Sequence, residues 1–466
     1  MSKLNKQHHY HLIGIGGIGM GAIASLLLAK GYKVTGSDAK ENDMVKNLIE
    51  QGAQISIGHD SSLIAGADGV VYSSAIKFDN QEIIYAKNKE IPLYQRADIL
   101  AELMSEHIGI TVAGAHGKTT TSSMTCQLLM KAGLQPTVAI GGIVRGLSAN
   151  AKLGQGKYFV SEVDESDGSF LKFYPHYSLI TNIDYEHLDY YKSWDNIIKA
   201  YKQFVANTHP DGIIIGCGED ENVMSLLKSS NRKFVTYGFS SDFDVSAQQL
   251  TQTDFSSSFH CFAFGKSLGL FELSLPGKHN IFNAMAVISL GLKMGVDLNI
   301  IKEGMKKFEG VQRRFQLIDN INNIKVIDDY AHHPTEIKMT LQAAERFKKE
   351  RLIAVFQPHR YSRFNSLFDE FAEALKNCDY LIITDIYTAG ESPIAGVTIE
   401  RFEKLMREKT IKPVKYVEKE KLVQFISAEA KEGDMVLMLG AGDITKIAYL
   451  LAEELNCSRQ KQTERV

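Results

Sequence analysis

No apolar run in the chain approaches the roughly 18 residues that a membrane-spanning helix requires. Polar residues at the N-terminus lead into an apolar stretch that ends at Gly14, too short for the core of a secretory signal. Cysteine is scarce as well: five residues, Cys126, Cys217, Cys261, Cys378 and Cys457, lie singly and form no CxxC pair. That excludes a disulfide scaffold and reads as reduced thiols in the cytoplasm. An excess of one charge sign is also missing. The net charge of -3 over 466 residues gives no general attraction to nucleic acid or to an anionic membrane, so any phosphate chemistry must be built from local sites. What remains is an ordinary globular composition, 44% apolar and 23% charged, which excludes disordered and collagen-like classes. At roughly 100 to 200 residues per domain, such a length implies two to four domains, and three are expected.

From His11 to about Ile91, short apolar or β-branched runs (HLIGIG, YKVTGSD, AQISIG, GVVYSSAI) alternate with amphipathic stretches, the pattern of a parallel α/β sheet. RADILAELMS, from Arg96 to Ser105, predicts a helix, and HIGITVAGA after it a buried strand, which sets a boundary near Ile108. A second block repeats the strand, glycine loop and helix, with Gly133 closing the helix. Inside it, Ser240 to Phe264 shows rough alternation that fits an antiparallel β excursion or a long surface loop. A third block opens with VQRRFQLID and alternates strand and helix through IKVIDDY, RLIAVFQPH, YLIITDIY and DMVLMLGAGD. The fold class expected is α/β in three domains: a Rossmann-like domain over 1–107, a central phosphate-loop ATPase-like domain over 108–310, and a C-terminal Rossmann-like domain over 311–466. The polar tail CSRQKQTERV is expected to fray.

Two glycine loops carry chemistry. Gly14-Ile15-Gly16-Gly17-Ile18-Gly19 follows an apolar strand and opens a helix, so its backbone can approach a pyrophosphate while helix N–H groups bind anionic oxygens. Asp38 closes the next strand, where a carboxylate can take a ribose hydroxyl. NAD, FAD and a UDP-sugar all fit this loop. The second, Gly114-Ala115-His116-Gly117-Lys118-Thr119-Thr120, also lies between strand and helix. Lys118 can reach nucleotide β and γ phosphates, and the Thr119 hydroxyl can ligate magnesium. Its glycines enclose two residues rather than the four of the usual phosphate loop. In KYFVSEVDESD, Glu162 and Asp164 end an apolar strand and offer a carboxylate to a metal, whereas Glu165, Ser166 and Asp167 read equally well as a solvated acidic loop. His187, in NIDYEHLD, is a further metal or amine contact, or simply a structural histidine.

Taken in order, GAHGKTTT, EVDESDGSFL, TNIDYEHLD, LPGKHNIFNA, GVQRRFQ, DDYAHHPTEI, FQPHRYSR and MLGAGDI resemble the Mur ligases of peptidoglycan synthesis over essentially the whole chain. Ala115 stands where the family usually has threonine. GIGGIG, the HHP at 332–334 and QPHRYSR are similar to the alanine-adding branch. The resemblance implies an ATP-dependent amide ligase that uses ATP and Mg2+ to join L-alanine to the carboxylate of UDP-N-acetylmuramate through an acyl phosphate, as a monomer or homodimer. It implies that Gly16, Gly17, Ile18, Gly19, Asp38, Ser73, Ser74 and Arg96 line the UDP-sugar site. Gly114, Ala115, His116, Gly117, Lys118, Thr119, Thr120, His279, Asn280, Arg314 and Asp329 would hold ATP. Thr119, Glu162 and His187 would hold the metal, and Tyr330, His359, Arg360 and Arg363 the amino acid. Lys118, Glu162, His187, His332 and Arg360 would carry catalysis. Lys202 lies near the position where other Mur branches carry a carbamylated lysine, and reads as a helix-surface lysine. A nicotinamide oxidoreductase would leave the GKTT loop unexplained, and EVDESD with QPHRYSR argues against peptide-loading or folate-type ligases.

Overall fold

The computed structural model describes residues 8–73, 76–144, 149–185, 187–253 and 256–463. It divides into two compact units, Met1–Val311 and Gln312–Val466. The first unit contains two sheets. One is a five-stranded parallel sheet ordered Gln54–Ile57, Lys33–Asp38, His9–Ile13, Gly69–Tyr72, Leu93–Gln95. Successive strands are added to one side of His9–Ile13 and then, from Gly69–Tyr72, to the other, and at such a switch point the strand ends leave a crevice for ligand. The GIGGIG loop leaves His9–Ile13 at that crevice.

The second sheet has ten strands. At its centre Ile108–Ala113 lies between Tyr177–Ile180 and Tyr158–Glu162, parallel to both. Three neighbouring strands therefore release their C-terminal loops side by side. Val, Ile, Leu and Phe fill these strands because both faces are covered by helices. The stretch Ser240 to Phe264 is the β excursion: Val245–Gln252, Ser257–Ala263 and Lys266–Leu273 extend the sheet, the last two pairings antiparallel. Helix starts are held by Asn42, Asn80, Ser193, Asp220 and Asp297, whose side chains accept backbone N–H groups of the first turn. Each such cap contributes about 1 kcal/mol.

The second unit is a six-stranded sheet ordered Gln316–Ile321, Ile324–Asp329, Met435–Leu439, Leu352–Phe356, Tyr380–Ile383, Val414–Tyr416, with only the first pairing antiparallel. Phe356, Phe364, Phe371 and Phe402 form a buried aromatic cluster on one face. The tail departs from expectation. Instead of fraying from Cys457, the helix runs over Ile444–Thr463, and the last three residues of the tail lie outside the described residues. Its earlier turns bury Leu451, Ala452 and Leu455, and the Arg, Gln and Lys that follow favour helix, so the turns propagate. Among the described residues no helix is long and apolar enough to cross a membrane.

Phe371→Ala removes a fully buried ring, and we expect it to destabilise the second unit by about 3–5 kcal/mol. The single tryptophan, Trp194, lies in the first unit and reports on that unit alone. Urea titration followed by circular dichroism should show an early partial loss of structure, while the Trp194 emission transition stays in place. A matching shift in both signals would mean that the two units unfold together.

Candidate active site

The loop after Ile108–Ala113 is shaped by its glycines. Gly117 has φ of 83° and precedes the helix Lys118–Lys131, and a Cβ there would stand 2.5 Å from Asn283 Oδ1. Only glycine meets both demands. The backbone of His116 is pinned from the next strand, its N–H donating to Asn182 Oδ1 at 2.8 Å and its carbonyl accepting from Asn182 Nδ2 at 3.0 Å. The His116 ring meets Asp184 Oδ2 at 3.1 Å. The Ala115 amide donates to the Asn182 carbonyl, so replacing threonine by alanine leaves the backbone of the cradle in place. Thr119 and Thr120 are buried in the first turn of the helix.

Lys118 Nζ donates to Gly114 O at 2.6 Å, to Ala115 O at 3.3 Å and to Glu165 Oε1 at 2.7 Å. Burial opposes its charge, but the Glu165, Asp164 and Glu162 carboxylates outweigh that and hold its pKa above the ordinary value. The Thr119 hydroxyl donates to Glu162 Oε1 at 3.1 Å, and Glu162 Oε2 accepts the Gly141 N–H at 2.9 Å. Glu165 is a correction to the reading of a solvated loop. It is 3% exposed, folded in by the neighbouring strand ends and by Tyr191, whose hydroxyl donates to its carbonyl at 2.6 Å. His187, at φ of 59°, brings Nε2 to 3.5 Å from Glu165 Oε1.

The same acidic segment reaches the first glycine loop. Arg96 Nη2 lies 3.9 Å from Asp164 Oδ2, and the Arg96 guanidinium covers Gly19 so closely that a Cβ there would meet Nη1 at 2.4 Å. Lys172 donates to Gln95 Oε1 at 2.6 Å and Asp98 Oδ1 at 2.7 Å, at the start of the helix that carries Arg96. Gly17 precedes the helix Ile18–Ala29, and the Ile18 carbonyl accepts from Asn150 Nδ2 at 2.6 Å. Asp38 Oδ2 accepts the Gly16 N–H at 2.8 Å, which holds the loop and leaves the carboxylate with further acceptor capacity. Ser73 sits half-buried after Gly69–Tyr72, and Ser74 lies outside the described residues.

Further along the first unit, Asn280 is buried and donates to Pro276 O at 2.7 Å, while half-buried His279 precedes it on Lys278–Lys293. Lys202 is exposed on Trp194–Asn207. Sequence reasoning missed Asn182, Asp184 and Asn283. Asn182 and Asp184 stand in the very block that holds His187, and Asn283 lies one helical turn after Asn280. Among the described residues no group of three or more His, Cys, Asp or Glu is arranged to hold a metal. Thr119 Oγ1 and Glu162 Oε1 nonetheless offer paired hard oxygens, the donor type that magnesium takes.

In the second unit Tyr330, His332, His359 and Tyr387 form a ladder of rings at 5.1, 5.8 and 5.3 Å, the last pair stacked. Arg363 Nη1 approaches His359 Nδ1 at 3.4 Å, and Arg314 lies over the Tyr330 ring and 3.5 Å from Glu336. Arg360 is exposed, with φ of 69° at the start of Tyr361–Ser366, and its N–H donates to Tyr387 O. Asp329 accepts N–H groups of Phe315 and Ala331, both at 2.7 Å. Burial pushes the Asp329 carboxyl up to about 6, against Arg314 and those amides. Burial lowers His332 to about 4 despite Glu336, and lowers His359 to about 3 with help from His332, Arg363 and Arg360. Both imidazoles are neutral at pH 7, so the positive charge here belongs to the arginines.

A phosphate loop with a lysine, a hydroxyl and paired carboxylates, set beside a second glycine cradle and followed by a separate α/β unit, defines a multidomain nucleotide-dependent ligase. The sequence matches the Mur ligase family, catalytic domain over residues 9–108, the Mur ligase middle domain over 112–291 and the Mur ligase, glutamate ligase domain over 313–442. The chain belongs to the Mur ligase family. It is 43% identical over 451 residues to UDP-N-acetylmuramate–L-alanine ligase of Geotalea daltonii, covering 97% of this chain and 98% of that one. It is 44% identical to the protein of the same name in Syntrophotalea carbinolica, covering 96% and 97%. The crystal structure of UDP-N-acetylmuramate-alanine ligase MurC from Thermotoga maritima is similar at 31% identity and a TM-score of 0.84, over 97% of this chain and 100% of that chain.

The two lowered histidines take up protons more readily once unfolded, at their ordinary 6.5. Their contribution to stability is present above pH 6.5 and is lost as pH falls toward about 4 and about 3. Asp329, raised from 3.8 to about 6, contributes below 3.8 and loses that as pH rises. Burial raises Asp328 as well, so two carboxyls oppose the two histidines, and the histidine share is read by difference: hydrogen exchange over residues 312–466 should show a decline in stability between pH 6.5 and 4 that depends on His359. His359→Gln should flatten that decline; an unchanged slope would assign the acid sensitivity to other groups.

Proposed function

We propose that this protein is a UDP-N-acetylmuramate–L-alanine ligase, an ATP-dependent enzyme of cytoplasmic peptidoglycan precursor synthesis. Identity of 43% over 97% of the chain to a ligase of that name supports the substrates. The geometric observation that carries the reaction is the segment from Glu162 to Lys172, which touches Thr119 and Lys118 at one end and the Arg96 helix at the other. In this reading residues 1–107 bind the UDP-sugar, 108–310 bind ATP, and 311–466 bind the amino acid.

A carboxylate is a poor acylating agent and must first be activated. Gly114 to Thr120 cradle the ATP phosphates, and Lys118 neutralises charge on the γ-phosphoryl group as it passes to a carboxylate oxygen of the sugar acid, releasing ADP. His279, Asn280, Arg314 and Asp329 hold the rest of the nucleotide. Thr119, Glu162 and His187 would hold magnesium, which supplies charge neutralisation and orientation when bound. Gly16, Gly17, Ile18, Gly19, Asp38, Ser73, Ser74 and Arg96 take the UDP-sugar, Asp38 also bracing the loop through the Gly16 N–H. Tyr330, His332, His359, Arg360 and Arg363 gather alanine, whose carboxylate suits a guanidinium fork. Its amine attacks the acyl carbon and inorganic phosphate leaves with one former carboxylate oxygen. Alignment of the reactants, with effective molarities of about 10⁵ M or more, outweighs the roughly 100-fold to 10,000-fold available from a general base.

Two outcomes follow. UDP-N-acetylmuramate labelled with oxygen-18 in its lactyl carboxylate should deliver one labelled oxygen into phosphate per amide formed, as read by mass spectrometry; label in AMP, or unlabelled phosphate with full amide formation, would exclude the acyl phosphate. Arg360→Ala should raise KM for alanine roughly tenfold or more and move KM for ATP little. An effect confined to ATP would put Arg360 in the nucleotide site.

A further inference from the structure

The reaction asks Lys118 to bind phosphate, yet its ammonium is fully committed elsewhere. Its three donors are spent on Gly114 O, Ala115 O and Glu165 Oε1. Glu165 is as unusual as its partner. Its side chain is 4% exposed, Oε1 faces Lys118 at 2.7 Å and His187 Nε2 at 3.5 Å, and Oε2 is buried with no hydrogen-bond partner among the described residues. A carboxylate withdrawn from water and left half-satisfied is costly, and the ammonium 2.7 Å away offsets that cost. A nucleotide phosphate arriving at Lys118 would bring negative charge close to this carboxylate and compete with it for the same ammonium.

We propose that Glu165 is an exchangeable partner of Lys118: a positioning residue that draws the phosphate-loop lysine back onto its own loop before nucleotide arrives and yields it to the phosphates on binding. This rests on the phosphate-loop reading given above. Nucleotide therefore binds against Glu165. Oε2, buried without a hydrogen-bond partner among the described residues, leaves the displaced carboxylate room for a new positive partner, and a divalent cation held by Thr119 and Glu162 would supply positive charge there. The lysine and the carboxylate thus form a lock that metal-free nucleotide opens with difficulty and metal-bound nucleotide opens readily. The sign of this effect sets it apart from a structural role, since damage to the site would weaken binding.

Calorimetry of the full-length protein tests it, with ADP as the probe, in EDTA and in magnesium. Glu165→Gln keeps the shape and removes the charge. It should tighten ADP binding about tenfold in EDTA, the worth of one charge-assisted contact, and by much less in magnesium. Unchanged or weaker binding in EDTA, or equal tightening in both conditions, would overturn the exchange. Should Glu165→Gln not give a native melting transition, Glu165→Asp withdraws the carboxylate from Nζ by one methylene and should shift affinity in the same direction by less; no shift there is equally decisive. Lys118→Ala separates the two levels. Loss of ADP binding in Lys118→Ala without tightening in Glu165→Gln sinks only the exchange, whereas retained ADP affinity in Lys118→Ala removes the phosphate-loop reading itself.

Discussion

The ammonium of Lys118 is the charge around which the first unit organises its site. A lysine drawn into a loop between three strand ends cannot keep its charge unless carboxylates accompany it. Glu162, Asp164 and Glu165 do so from one short stretch, and each has its own task. Glu162 meets Thr119, Asp164 faces Arg96, and Glu165 takes the lysine. Remove the lysine, and Glu165 becomes a buried carboxylate whose nearest cationic candidate is a histidine at 3.5 Å. The acidic stretch and the phosphate loop therefore depend on each other electrostatically, although 43 residues separate Thr119 from Glu162.

Parallel strand order makes that meeting possible. Ile108–Ala113, Tyr158–Glu162 and Tyr177–Ile180 run the same way, so their C-terminal loops emerge together: Gly114 to Gly117, Asp164 to Asp167, and Thr181 to Asp184. Asn182 ties the first of these loops to the third through the His116 backbone. In the second unit the same logic sets Asp329 at the end of one strand with Tyr330 just beyond it, and His359 and Arg360 after another, both strands parallel to Met435–Leu439 between them.

Local patterns were legible, and patterns created by packing were not. Both glycine loops could be read because strand, glycines and helix are contiguous. The helix Arg96–Ser105 follows its sequence to the residue. Ser240 to Phe264 stayed ambiguous because bulges between Gln248 and Thr251 and between Cys261 and Phe262 break the two-residue alternation that marks a strand. The burial of Glu165 is invisible locally. A run of Glu, Ser and Asp reads as solvated until strands from either side, and Tyr191 above, close over it. The tail misled for the opposite reason: polarity suggested fraying, while its residues favour helix once an anchored helix leads into them.

The segment from Glu162 to Lys172 has a constraint beyond its charges. Val163 and Phe170 are buried, and Ser166 and Ser169 donate backbone N–H groups to Asp164 and Asp167, so the stretch is rigid rather than a flexible linker. A rigid element that contacts Lys118 at one end and Asp98 at the other cannot shift at one end alone. In the proposed exchange, release of Glu165 by Lys118 would bear on the placement of Asp164 beside Arg96, and a ligand that drew Arg96 away would bear on Lys118. The segment thus joins the two glycine cradles through packed backbone and paired charge, and any free-energy coupling between ligands bound at them would act equally in both directions.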